Sequence, residues 1–169
     1  MMHGVDETTR QRLDAERADI AARRLRPRAQ RPASSARGVH HVALLSSDVE
    51  RTIDFFDGIL GFPLIEIFEN RDYGGSTHFF FDIGHGNSLA YFDLPGLDLG
   101  AYGEVLGGLH HLAISIDREN WEACRQRLHE AGIETVNIDH SSLYFTGPDG
   151  ERIELISDPL GEMYGKSVG

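Results

Sequence analysis

The chain has 169 residues, 40% hydrophobic and 25% charged, with a formal net charge of −11. Those values describe one ordinary domain plus an appendage, with enough apolar residues for a true core. They exclude a membrane-spanning helix, because no run of 18 apolar residues occurs, and an intramolecular disulfide, because Cys124 is the only cysteine. The first residues carry neither a secretory h-region nor a transit-peptide pattern, so a cytoplasmic location is expected. Charge is divided unevenly: residues 1–37 hold nine basic and five acidic residues, and the remainder seven and twenty-two. An acidic body repels phosphate backbones, so nucleic acid is not an expected partner.

In chain order, residues 1–26 are rich in helix formers but offer only Leu13, Ile20 and Leu25 as an apolar face. They read as a helical or disordered extension. A Pro/Ser/Arg linker follows (RPRAQRPASSARG), so residues 1–37 form a basic extension and the domain starts at Gly38.

The body contains an internal repeat. VHHVALLS at 39–46 and LHHLAISI at 109–116 both open on a His pair and continue as an apolar run of strand character. A helix signal follows each. Ser47 and Glu50 have capping-box spacing ahead of Ile53, Phe56 and Leu60, and Asp117 is a plausible N-cap ahead of Trp121, Cys124 and Leu128. This placing makes Cys124 a buried helix residue rather than a nucleophile. Gly61 and Gly132 stand where the helices should stop. Three strand-like runs close each copy: PLIEIFEN, STHFFFDI and NSLAYFDL in the first, ETVNID, SSLYFTG and ERIELIS in the second. The expected architecture is α+β: two βαβββ modules, 38–94 and 109–159, forming a cupped mixed sheet. A glycine-rich loop at 95–108 joins them, and 160–169 is a tail.

A first-row metal at an open site needs about three protein donors on separate rigid elements. Strand alternation turns one His of each pair towards the concave face, and the repeat's pseudo-twofold symmetry sets His41 opposite His111. Glu154, between Ile153 and Leu155, is a carboxylate that a sheet interior tolerates only when it is paired or metal-bound. Its counterpart in the first copy is Ala90, which leaves two His and one carboxylate. That donor set, with open positions, favours Fe(II) and also accepts Mn(II), Ni(II) or Zn(II).

HHVALLSSDVERTIDFFDGILGF, HHLAISID and LYFTGPDGERIELIS together resemble the vicinal oxygen chelate superfamily, which includes glyoxalase I, extradiol dioxygenases and fosfomycin- and bleomycin-resistance proteins. The last stretch carries Gly147 where the family signature has Asp. The resemblance spans 38–159 and implies the cupped fold, a small-molecule substrate, a homodimer, and metal ligation by His41, His111 and Glu154. His40 and His110 are then flanking partners.

Three reactions are compatible: an Fe(II) extradiol-type cleavage of a small aromatic diol, a glyoxalase-like lyase or isomerase reaction using Ni, Zn or Mn, and non-catalytic binding of an aromatic drug or metabolite. Ala90 counts against glyoxalase I, which has four protein donors. The absence of an evident basic cluster counts against a phosphonate substrate. An acid/base group is needed beside the substrate. The candidates are Tyr144 and His78, with His140 nearby. Among Phe79, Phe80 and Phe81, alternation places Phe80 on the face of His78.

Overall fold

A computed structural model describes residues 5–36, 38–163 and 166–167, in two compact units, residues 1–38 and 39–169. In the first unit, helix α1 (Glu7–Arg24) is N-capped by Asp6, which accepts from the Thr9 amide at 2.9 Å. It buries no residue. Its support is its own surface ladder: Arg10, Arg12, Arg17 and Arg23 pair with Glu7, Glu16, Asp14 and Asp19 one turn away, each pair contributing about 0.2–0.5 kcal/mol. Of the two readings for the extension, the helical one holds. Among the described residues no helix is long and apolar enough to cross a membrane.

The second unit holds both modules. The first runs β1 (His41–Leu45), α2 (Val49–Ile53, continuing as a π-helical segment Asp54–Leu60), β2 (Leu64–Glu69), β3 (Thr77–Asp82) and β4 (Ser88–Phe92). The second runs β5 (Leu112–Ser115), α3 (Arg118–Glu130), β6 (Thr135–Ile138), β7 (Ser142–Thr146) and β8 (Arg152–Ile156). Each module folds into a four-stranded mixed sheet, ordered β1-β4-β3-β2 and β5-β8-β7-β6. The first and last strands of each module pair in parallel, and the other neighbours are antiparallel. A short hairpin, β9 (Glu162–Met163) with β10 (Lys166–Ser167), follows.

Two local expectations need correction. The 3.6-residue spacing predicted an α-helix up to Gly61, yet its last seven residues wind as a π-helix. The N-cap of α2 is Asp48, accepting from the Arg51 amide at 3.0 Å, and not Ser47. Ser47 is drawn off by the second module: its amide donates to Asp149 Oδ2 at 3.0 Å, and Arg51 Nη2 donates to Asp149 Oδ1 at 2.8 Å. A partner 102 residues away is invisible to a local capping rule. Asp117 does cap α3, through the Asn120 amide at 2.9 Å. Gly61 takes the left-handed conformation that stops the π-helix, with φ of 75°.

Both modules spend the helix-covered face of their sheets on one shared core. Phe79, Phe81, Leu89 and Tyr91 of the first sheet and Ile114, Leu143, Ile153 and Leu155 of the second enclose Phe56, Leu60, Trp121, Cys124 and Leu128. Arg127 of α3 ties the helices together by donating to the Ile59 and Leu60 carbonyls at the end of the π-helix. Cys124 is buried, its thiol on the Leu60 carbonyl at 3.3 Å.

A buried polar bridge also joins the modules. Glu151 accepts from the Tyr91 hydroxyl at 2.8 Å and from the Asp149 amide at 2.9 Å. This bridge explains Gly147: a Cβ there would lie 2.4 Å from the Glu151 carboxyl carbon, so the signature Asp cannot coexist with this Glu151 rotamer. Burial, the largest cause, pushes the Glu151 carboxyl above its ordinary range, and burial likewise raises Tyr91. A carboxyl raised in the folded state contributes stability below its unfolded value of about 4.5 and loses it as pH rises through the folded value. Tyr91→Phe leaves that buried carboxylate short of a donor, so a loss of about 1–3 kcal/mol is expected. Urea unfolding should show the loss to be smaller at pH 4.5 than at pH 7.5, because the raised carboxyl holds its proton more readily at the lower pH.

Candidate metal centre

The face of each sheet opposite the core carries the candidate residues. In the second module the register sets Glu154 of β8 between Ala113 of β5 and Tyr144 of β7. Glu154 is 5% exposed, and its Oε2 lies 3.0 Å from His111 Nε2. The His111 ring stands edge-on to Tyr144, with centroids 5.6 Å apart. The Arg152 guanidinium lies 5.2 Å from the centre of the Tyr144 ring, on the same face as Glu154. His111, Glu154, Tyr144 and Arg152 therefore form one cluster.

In the first module the corresponding face is aromatic. Register matches Phe80 with Ala90, His78 with Phe92 and Phe68 with His78. His78 stacks on Phe92 at 3.8 Å between centroids and packs on Phe80 at 4.2 Å, while His41 meets Phe80 edge-on at 6.5 Å. Phe79 and Phe81 point the other way and are fully buried. Burial among these rings, and then the nearby His41, hold the His78 imidazole below its usual range. Its Nε2 is buried with no hydrogen-bond partner among the described residues. A polar atom orphaned in this way is costly unless a ligand supplies the partner.

The two His pairs have the same construction. His40 Nδ1 lies 2.9 Å from His41 Nδ1, and His110 Nδ1 lies 2.7 Å from His111 Nδ1. One ring of each pair must donate and the other accept. When His41 or His111 donates through Nδ1, its Nε2 is left with a free lone pair, the form a metal ligand requires. His40 and His110 thus orient their neighbours.

The sequence leaves open whether the donors converge within one chain or across two. His41 does not join His111 and Glu154, and among the described residues no three His, Cys, Asp or Glu side chains converge on a point. The reason lies in the shared core: both sheets bury their helix faces in it, so the two outer faces are separate. β1 and β5 are edge strands with one side unpaired. The donors present still fit a divalent ion, since an imidazole and a buried carboxylate already meet at 3.0 Å. The chain presents these candidate donors apart, His41 on the first module and His111 with Glu154 on the second. His140 stands away from both groups: it sits in the β6–β7 turn with φ of 59°, its carbonyl taken by Arg118.

Two residues of the cluster were missed at the level of sequence. Arg152 lies two positions before Glu154, so strand alternation alone could have placed it on the same face. Glu104, from the inter-module loop, reaches Arg152 Nη1 at 3.5 Å and His110 Nε2 at 3.8 Å. No local signal marks it. A groove of about 970 Å³ is lined by Ala43 and Leu45 of β1 together with Leu97, Leu99 and Tyr102, and none of the candidate ligands lines it.

A fold of two βαβββ modules, with His41 opening β1, His111 just ahead of β5 and a buried carboxylate on β8, defines a class of paired-module proteins. Residues 38–155 match the Glyoxalase/Bleomycin resistance protein/Dioxygenase superfamily model, and the chain belongs to that superfamily. It is 32% identical over 129 residues to lactoylglutathione lyase of Escherichia coli O157:H7, covering 70% of this chain and 90% of that protein. It is 26% identical over 142 residues to MhqA of Bacillus subtilis (strain 168), which is named as a ring-cleaving dioxygenase, covering 78% of this chain and 43% of that one. The chain therefore spans less than half the length of MhqA. The crystal structure of the fosfomycin resistance protein FosX from Mesorhizobium loti superposes with a TM-score of 0.57 at 21% identity, covering 74% of this chain and 94% of that one. These relatives divide among several reactions, so membership supports an enzyme without selecting its chemistry.

Proposed function

We propose that the chain is a metal-dependent oxygenase acting on a small aromatic diol, with His111 and Glu154 of one copy and His41 of a second copy holding one Fe(II). The observation that carries this reading is the His111–Glu154 pair at 3.0 Å, with its carboxylate 5% exposed and no third donor beside it among the described residues. Unpaired β1 and β5 edges are the natural place for a second copy to join. That arrangement would bring the aromatic face of Phe68, Phe80 and Phe92 against the polar face of the second module. When bound, a divalent ion there would act as a Lewis acid on two vicinal oxygens of the substrate. His78, neutral through burial, would accept a proton from the diol at Nε2. Tyr144 would donate a hydrogen bond next to His111, and the phenylalanines would hold the ring and exclude water.

A second reading has its own support in the lactoylglutathione lyase relative, which the chain covers almost completely. It is a lyase or isomerase using Ni(II), Zn(II) or Mn(II). Ala90, where a fourth donor would stand, weighs against it, since Ala90 is buried opposite Phe80 and has no donor atom. A third reading, ligand binding without turnover, gives no role to the His111–Glu154 pair.

Anaerobic purification followed by elemental analysis separates the readings. The expected result is about one Fe per chain, lost in Glu154→Ala, with oxygen uptake on addition of catechol. In His78→Ala the iron should remain while turnover falls by about 10²–10⁴-fold, the usual share of a general acid/base. Stoichiometric Ni or Zn without oxygen uptake would transfer the assignment to the lyase. No metal after reconstitution would leave the binding protein.

A further inference from the structure

Arg152 is the one cation on the second module's outer face that stacks on a candidate site residue, and its surroundings single it out. The guanidinium lies over the Tyr144 ring at 5.2 Å, an arrangement that orients a planar cation before any ligand arrives. Its counter-ion, Glu104, comes from the loop between β4 and β5 at 3.5 Å, with both side chains about half exposed. An ion pair of that length and exposure contributes about 0–1 kcal/mol, so it exchanges easily. The loop that carries it includes Gly100, Gly103, Gly107 and Gly108, and Gly107 has φ of 81°. Two residues before Glu104, Tyr102 fastens the loop, its hydroxyl 2.6 Å from the Leu109 carbonyl and 3.1 Å from that of His110. Glu104 is thus carried on a glycine-rich loop that Tyr102 fastens beside His110.

We propose that Arg152 anchors an anionic group of the ligand, with Glu104 as its resting counter-ion, so that the site takes an aromatic carboxylate in preference to a neutral aromatic ring. This rests on the reading of the His111–Glu154 face as the substrate site. Residues 152 and 154 are neighbours on one strand face, about 6–7 Å apart along the strand. That distance suits a single aromatic ring with its carboxylate on Arg152 and its opposite edge towards Glu154 and His111. A ligand carboxylate gains a forked, charge-assisted contact where Glu104 makes only a long one. The local cation also offsets repulsion from a body that carries fifteen net negative charges outside residues 1–37.

The test uses benzoate and benzamide, which match in shape and differ in charge, on the full chain by saturation-transfer NMR titration at low salt. Neither probe has vicinal oxygens and no metal is added, so the result is independent of the metal assignment: selectivity can hold where iron binding fails, and the reverse. Benzoate should bind about tenfold more tightly than benzamide, the scale of one charge-assisted contact. Arg152→Gln should bring that ratio to about one while leaving benzamide unchanged. Glu104→Gln should raise benzoate affinity a few-fold by freeing the guanidinium. A ratio near one in the wild type, or one that survives Arg152→Gln, overturns the anchor. Unchanged benzoate affinity in Glu104→Gln overturns the counter-ion.

Discussion

Mixing His41→Ala chains with His111→Ala chains should restore about a quarter of the metal sites that each variant alone has lost, as subunit statistics require for a twofold dimer. Suppose each site takes His41 from one copy and His111 with Glu154 from the other. A homodimer of either variant then lacks a donor at both sites. In the mixed dimer, one site collects both substitutions and the other collects neither. Half of the dimers are mixed after random exchange, and half of their sites are whole. The prediction follows from the separation of His41 from the His111–Glu154 pair within one chain. Refolding the two variants together and counting metal per chain reads the outcome. No recovery would mean that the donors do not join across two copies. Full metal in either variant alone would remove that histidine from the ligand set.

Trp121→Ala should cost about 3–5 kcal/mol, the range for deleting a fully buried aromatic side chain. Trp121 is 0% exposed in the first turn of α3, and its indole nitrogen donates to the Leu155 carbonyl at 3.1 Å. Arg118 covers the ring at 4.5 Å. The substitution would open a cavity and also remove the indole donor from a carbonyl on β8, one residue from Glu154. Against a total stability of about 5–15 kcal/mol for an ordinary domain, that loss is severe. The midpoint should fall by on the order of 10 °C for a chain of this size. Circular dichroism is the right probe, because the chain has a single tryptophan and loses its fluorescence with it. Trp121→Phe should recover most of the loss, leaving about 1 kcal/mol for the missing donor. A change below 1 kcal/mol in Trp121→Ala would mean that α3 does not anchor β8.

Several features were legible before any coordinates because they are local. The repeated His pairs at 40–41 and 110–111 announced two equivalent strands, and both became edge strands paired in parallel to the last strand of their module. Period-two alternation sorted Phe79 and Phe81 from Phe80, and Ile153 and Leu155 from Glu154, because successive side chains must leave a strand on opposite faces. The Asp117 cap and the Gly61 and Gly132 stops followed from the backbone groups that a helix end leaves unpaired. The register also sets His78 against Phe92 as it sets Ser142 against Ile156, so these two residues hold equivalent places in the modules.

The fold class and the repetition of the modules were thus determined by the sequence itself. They depend on side-chain period, cap chemistry and repetition, all of which act over a few residues. What the tertiary structure alone decided depends on contacts about 40 to 100 residues apart. Asp149 took Ser47 from its expected cap, Glu151 met Tyr91 and thereby required Gly147, and Glu104 reached Arg152. The same holds for the placing of the candidate donors. The two modules share one core through their helices, because burying Phe56, Trp121 and both inner sheet faces together removes apolar surface from water. That packing leaves His41 apart from Glu154 within the chain.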